Sequence, residues 1–139
     1  MLLISVVMAD IQFLLLFCQG TEALEGIFMD MSNLTCELSP TIFERTYRLR
    51  LLKLYCSLSG NHCNLFLPRG LDSLPDELRL LHWERYPLRS LPRNFNPKKL
   101  VELNMPYSKM EKLWKGTKVS LKLFNLISFL HECMYTLTQ

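Results

Sequence analysis

The apolar positions of this chain recur in a fixed figure. Residues 78–92 read LRLLHWERYPLRSLP and place Leu78, Leu81, Trp83, Leu88, Leu91 and Pro92 on the spacing LxxLxLxxxxLxxLP. Residues 100–113, LVELNMPYSKMEKL, put Leu100, Leu103, Met105, Met110 and Leu113 at the same offsets. A third copy opens with Leu49, Leu52 and Leu54, and its tail returns after an insertion as Leu71, Leu74 and Pro75. Leu24, Ile27 and Met29 begin an earlier copy without the tail. The starts lie 25 residues apart from Leu24 to Leu49, 29 from Leu49 to Leu78 and 22 from Leu78 to Leu100. A period of this size marks units that bury a core only by stacking on their neighbours.

Within each copy the LxL core alternates, so one side chain turns inward and the next outward, as in a short strand. The spacing predicts strands at Ile27–Met29, Leu52–Leu54, Leu81–Trp83 and Leu103–Met105 in one parallel sheet. Leu49, Leu52, Leu54, Leu78, Leu81, Trp83, Leu100, Leu103 and Met105 form the repeat core in this reading. The outward positions are Phe28, Asp30, Leu51, Lys53, Tyr55, Leu80, His82, Glu84, Glu102 and Asn104. Stacked side by side they give a mixed aromatic, apolar and charged concave face of the sort that recognises proteins. Ser39-Pro40 followed by Ile42, Phe43, Tyr47 and Leu49 reads as a capped helix on the convex side.

The fold class that follows is α/β, a short leucine-rich-repeat solenoid of three to four irregular repeats with flanking terminal helices. The chain divides into an apolar N-terminal segment (1–19), a repeat region (20–118) and an apolar C-terminal tail (119–139) expected to be helical. The asparagine that usually follows the strand in such repeats is replaced by Ser57, Tyr86 and Ser108, which predicts irregular turns. Residues 1–17 are almost wholly apolar but short for a membrane span and interrupted by Asp10. They lack the positive start of a secretory signal. A membrane partner is therefore disfavoured without being excluded, and a secreted or membrane-anchored form, with Asn33-Leu34-Thr35 as a glycosylation acceptor, is the alternative to a cytoplasmic protein.

Charge changes the picture more than composition does. All sixteen Lys and Arg residues fall between Arg45 and Lys122, beside six acids, while the first 44 residues carry six acids and no Lys or Arg. The basic middle invites an acidic protein surface, with Lys53, Arg79, Arg85 and Arg89 as candidate docking residues. Its even spacing, without clustered stacking aromatics, argues against nucleic acid. The five cysteines are odd in number and unpaired in spacing, which fits a reducing compartment better than a disulfide scaffold. Cys56, His62 and Cys63 match no metal-ligand spacing. No phosphate loop, paired-carboxylate motif or Ser/His/Asp order is present, so we expect neither an enzyme nor a bound cofactor.

The runs GTEALEGIFMDMS (20–32), LSPTIFERTYRLRLLKLY (38–55), LPDELRLLHWERYPLRSLP (74–92) and KLVELNMPYSKMEKLWKGTK (99–118) carry a family resemblance. From Gly20 to Lys118 the chain resembles the opening repeats of plant disease-resistance receptors that join a Toll/interleukin-receptor-like domain, a nucleotide-binding switch and leucine-rich repeats. The resemblance implies a non-catalytic recognition and regulatory segment in plant defence. Its implied partners are proteins, either the nucleotide-binding domain of a related receptor or a pathogen effector. The sequence itself contains neither the phosphate loop of the switch nor the Toll-like domain, so a truncated receptor, or a remnant without independent activity, is the expectation.

Overall fold

The computed structural model describes residues 2–6, 22–32, 34–57 and 64–113. Seven strands form in chain order: β1 (Leu2–Val6), β2 (Leu24–Asp30), β3 (Thr35–Glu37), β4 (Leu51–Tyr55), β5 (Asn64–Phe66), β6 (Leu80–Trp83) and β7 (Glu102–Asn104). Five of them make one parallel sheet in the order β1-β2-β4-β6-β7, and β3 and β5 pair parallel in a second, two-stranded sheet. Three of the five main strands contain the expected triplets Ile27–Met29, Leu52–Leu54 and Leu81–Trp83, and β7 covers Leu103 but ends at Asn104, one residue short of the expected Met105.

The register explains why the repeats stack. Ile27 lies opposite Leu52, Leu52 opposite Leu81, and Leu81 opposite Leu103, so the inward leucines form one unbroken row. Leu49, Leu52, Leu54, Leu78, Leu81, Trp83, Leu100, Leu103 and Met105 are each at most 4% exposed. Each such side chain contributes about 1.5–3 kcal/mol by leaving water. The backbone just before the strands is stacked too. Arg50 N donates to Glu25 O at 2.8 Å, Arg79 N to Arg50 O at 2.8 Å and Val101 N to Arg79 O at 2.8 Å.

The helical half of the expected α/β class is absent among the described residues. Between Ser39 and Leu49 the chain makes a series of turns, with Ile42 N, Glu44 N, Thr46 N and Leu49 N each bonding the carbonyl three residues back. A helix would need bonds four residues back and one apolar stripe. Here the adjacent Ile42 and Phe43 are both buried while Tyr47 is 50% exposed, and the buried Thr46 hydroxyl donates to Phe43 O at 3.0 Å. Both arrangements favour tight turns over a regular helix. The expected flanking helices also need correction. At the N-terminal end, Leu2–Val6 form an edge strand on β2. The tail, residues 119–139, lies outside the described residues. No helix among the described residues is long and apolar enough to cross a membrane.

One aromatic group holds the centre of the stack. Trp83 meets Phe43 edge-on at 6.1 Å and Tyr86 edge-on at 5.1 Å between ring centres. Tyr86, fully buried, donates its hydroxyl to Ser90 O at 3.0 Å, and burial pushes its phenol up from the ordinary value. It thereby ties down the chain between Tyr86 and Ser90. Tyr86→Phe should cost about 1 kcal/mol in urea unfolding, the worth of one buried hydrogen bond plus an orphaned carbonyl. An unchanged midpoint would mean that Ser90 O is satisfied without the phenol. The Trp83 indole N–H has no hydrogen-bond partner among the described residues, so its ring is held by packing alone.

Candidate functional site

The open face of the main sheet is built from rungs. Phe28, Lys53, His82 and Asn104 lie side by side across β2, β4, β6 and β7, and Leu51, Leu80 and Glu102 make a second rung. Phe28, Leu51, Lys53, Tyr55, Leu80, His82 and Asn104 are half-buried and Glu102 is exposed, the pattern of side chains that stand on a sheet facing away from its core. Lys53 extends over the Tyr55 ring, its Nζ 5.5 Å from the centre. His82 Nε2 lies 3.4 Å from Glu84 Oε1, and Asn104 Nδ2 donates to Glu102 Oε1 at 2.6 Å. The face thus offers two aromatics, two aliphatics and a central lysine, edged by preset polar pairs.

Two acids read as outward binding residues do something else. Asp30 is 3% exposed, which corrects its expected place on the open surface. Its carboxylate accepts from Ser32 N at 3.0 Å, Ser32 Oγ at 2.6 Å, Ser57 N at 3.2 Å and Ser57 Oγ. Burial raises its pKa, but these four bonds outweigh burial and hold it at about 2, against 3.8 for the ordinary group. Glu84 is half-buried, and its Oε2 accepts from Cys56 N at 2.9 Å. Each carboxylate therefore bridges adjacent repeats at the end of the strands, where the missing asparagine would bond the turn. The signal for Asp30 was in the sequence, since Asp-x-Ser directly after a strand favours a side-chain-closed turn.

The four candidate docking cations do not form one patch. Arg79 precedes β6 and Arg85 lies in the turn that follows it, so they sit at opposite ends of that strand. Lys53 stands between them on the open face. Arg89 lies further along the turn and pairs with Glu111 at 3.6 Å. Cys56, expected to be an ordinary buried or loop residue in a reducing compartment, is disulfide-bonded, which corrects that expectation. An odd cysteine count leaves at least one thiol over but does not prevent a pair from forming. His62, Cys63 and Asn33 also lie outside the described residues. Among the described residues no three His, Cys, Asp or Glu side chains gather as a metal would require.

Comparison with known proteins settles the relationship. Residues 99–118 match the family model described as Leucine Rich Repeat. Disease resistance protein RPP2A of Arabidopsis thaliana is 70% identical over 107 residues, covering 77% of this chain and 8% of that protein. The chain contains a leucine-rich repeat, and its homologues are plant disease resistance proteins. Disease resistance protein RRS1 of the same plant is 54% identical over 115 residues, 82% of this chain and 9% of that protein. Disease resistance-like protein DSC1 is 44% identical over 104 residues, 71% of this chain and 8% of that protein. The chain spans less than a tenth of the length of these relatives. No solved structure matches it.

Proposed function

We propose that this leucine-rich-repeat stretch is a non-catalytic recognition and regulatory module of a cytoplasmic receptor of the Toll-like, nucleotide-binding, leucine-rich-repeat class, and that it binds protein through the open face of its main sheet. The observation that carries the reading is the rung Phe28, Lys53, His82 and Asn104, which sets an aromatic, a cation and two hydrogen-bonding groups side by side on a rigid scaffold. Rigid presentation lowers the ordering cost of binding. The module takes no cofactor and acts by holding the nucleotide-binding domain of a receptor, with a pathogen effector as the competing ligand. High identity to RPP2A makes that protein the natural probe.

The test is co-precipitation of the tagged 139-residue chain with full-length RPP2A from leaf extract. Replacing Phe28 with Ala and Lys53 with Glu together should reduce capture about tenfold, because a central aromatic anchor and its adjacent cation are both lost. These half-buried positions face away from the core, so thermal melting should barely change. Equal capture by the folded double variant would remove the sheet face as the binding surface.

A further inference from the structure

The turns that follow β6 and β7 run alongside each other beyond the ends of the strands. Arg85 N donates to Pro106 O at 2.9 Å, Lys109 N to Tyr86 O at 3.0 Å and Glu111 N to Arg89 O at 2.9 Å, which locks the two turns together. Arg85 and Tyr107 occupy the same place in successive repeats, 22 residues apart. Both have left-handed backbone, with φ of 59° and 56°. Glycine adopts that conformation freely, whereas a side chain there is disfavoured. A side chain retained twice at such a position points to a use for the side chain itself.

Both side chains project outward. Tyr107 is 68% exposed, and the Arg85 guanidinium carbon stands 5.9 Å from its ring centre. Arg89, Lys109 and Lys112 are exposed on the same pair of turns, with Glu111 paired to Arg89. Next to Lys109 opens a shallow groove of about 430 Å³, lined by Phe66, Leu67, Pro68 and Pro87 with Glu37 and Lys109 at its margin. Phe66 is 46% exposed there. The rim therefore joins a cluster of four cations to an exposed aromatic and an apolar trough.

We propose that this rim is a second docking site, separate from the open face of the sheet, for an extended acidic protein segment that carries an apolar side chain. Arg85, Lys109 and Lys112 take the carboxylates, Tyr107 packs against the segment's stem, and the Phe66–Pro87 groove receives the apolar side chain. A nucleic-acid strand needs an unbroken cationic track with several stacking platforms. Glu37 and Glu111 interrupt such a track, and Tyr107 and Phe66 are the two exposed aromatics along it. The groove is too open to enclose a small molecule, whose sites are mostly deep and surround it.

The proposal is tested with the full 139-residue chain and a fluorescein-labelled peptide of sequence Glu-Glu-Phe-Glu-Glu-Leu-Glu-Glu, by anisotropy at two salt concentrations. Binding should weaken steeply with salt, fall about tenfold in the Arg85→Glu, Lys109→Glu double variant, and remain unchanged in Lys53→Glu, which marks the other face. Tyr107→Gly relieves the left-handed strain, so it should leave the melting temperature unchanged or higher while weakening the peptide several-fold. A variant that merely misfolds would lower both. The proposal is overturned if the charge reversal or Tyr107→Gly binds the peptide as well as the natural chain. It is overturned equally if a single-stranded thymidine oligonucleotide displaces the peptide at lower concentration than unlabelled peptide does.

Discussion

Leu81→Asp is expected to abolish the cooperative unfolding transition, whereas Leu80→Asp, one residue earlier, should leave the chain folded. Leu81 is fully buried and lies between Leu52 and Leu103 in the inward row. The substitution removes a core side chain, worth about 2–5 kcal/mol, and adds the further cost of a buried carboxyl without a partner. A repeat stack of this size has on the order of 5–15 kcal/mol in total, and neighbouring units fail together. Leu80 belongs to the opposite face and is half-buried, so its carboxylate variant reaches water. Circular dichroism melts of the two variants decide the matter. A folded Leu81→Asp chain, or an unfolded Leu80→Asp chain, would mean that the two faces of β6 are exchanged.

Asp30→Ala is expected to lower stability by about 2–3 kcal/mol at neutral pH, an unusually large effect for a residue first read as part of a binding surface. The substitution removes four bonds to a charged acceptor, which are the strong kind, while Ser57 N keeps the Ser32 hydroxyl oxygen at 3.1 Å. Its pH dependence has a definite sign. The folded carboxyl titrates at about 2 and the ordinary one at 3.8, so its contribution is complete above 3.8 and drains away as pH falls towards 2. The natural chain should therefore lose its advantage over Asp30→Ala across that interval. Urea midpoints measured for both chains from neutral to acid pH provide the check, and curves that stay parallel to pH 2 would show that the carboxylate does not bridge the repeats.

Much of this architecture was legible because it rests on one-dimensional spacing. The alternation around Leu52, Leu81 and Leu103 fixed the faces of the sheet, since a slip of one residue would turn every leucine to solvent. The arcs between strands were less legible. Ser39-Pro40 is a sound helix start, but the need to bury both Ile42 and Phe43 within a short return overrides local preference. In the candidate site, Phe28, Lys53 and His82 followed from register, while Asp30 and Glu84 follow from hydrogen-bond demand at the strand ends, which periodicity does not express. The left-handed Arg85 and Tyr107 left no trace at all, because glycine is the residue that ordinarily announces such a turn.

The constancy of strand register across unequal repeats has a consequence for how such a protein diversifies. From Leu52 to Leu81 the chain travels 29 residues and from Leu81 to Leu103 it travels 22, yet both pairs sit opposite each other without a register shift. The surplus is taken up wholly in the arcs, where lengthening a closed loop costs only a few tenths of a kcal/mol. Insertions and deletions between strands can therefore accumulate without disturbing the rungs. The sheet behaves as a printed grid and the arcs as its variable margin, so lineages under changing selection can revise the outline of the molecule and the letters on the grid independently.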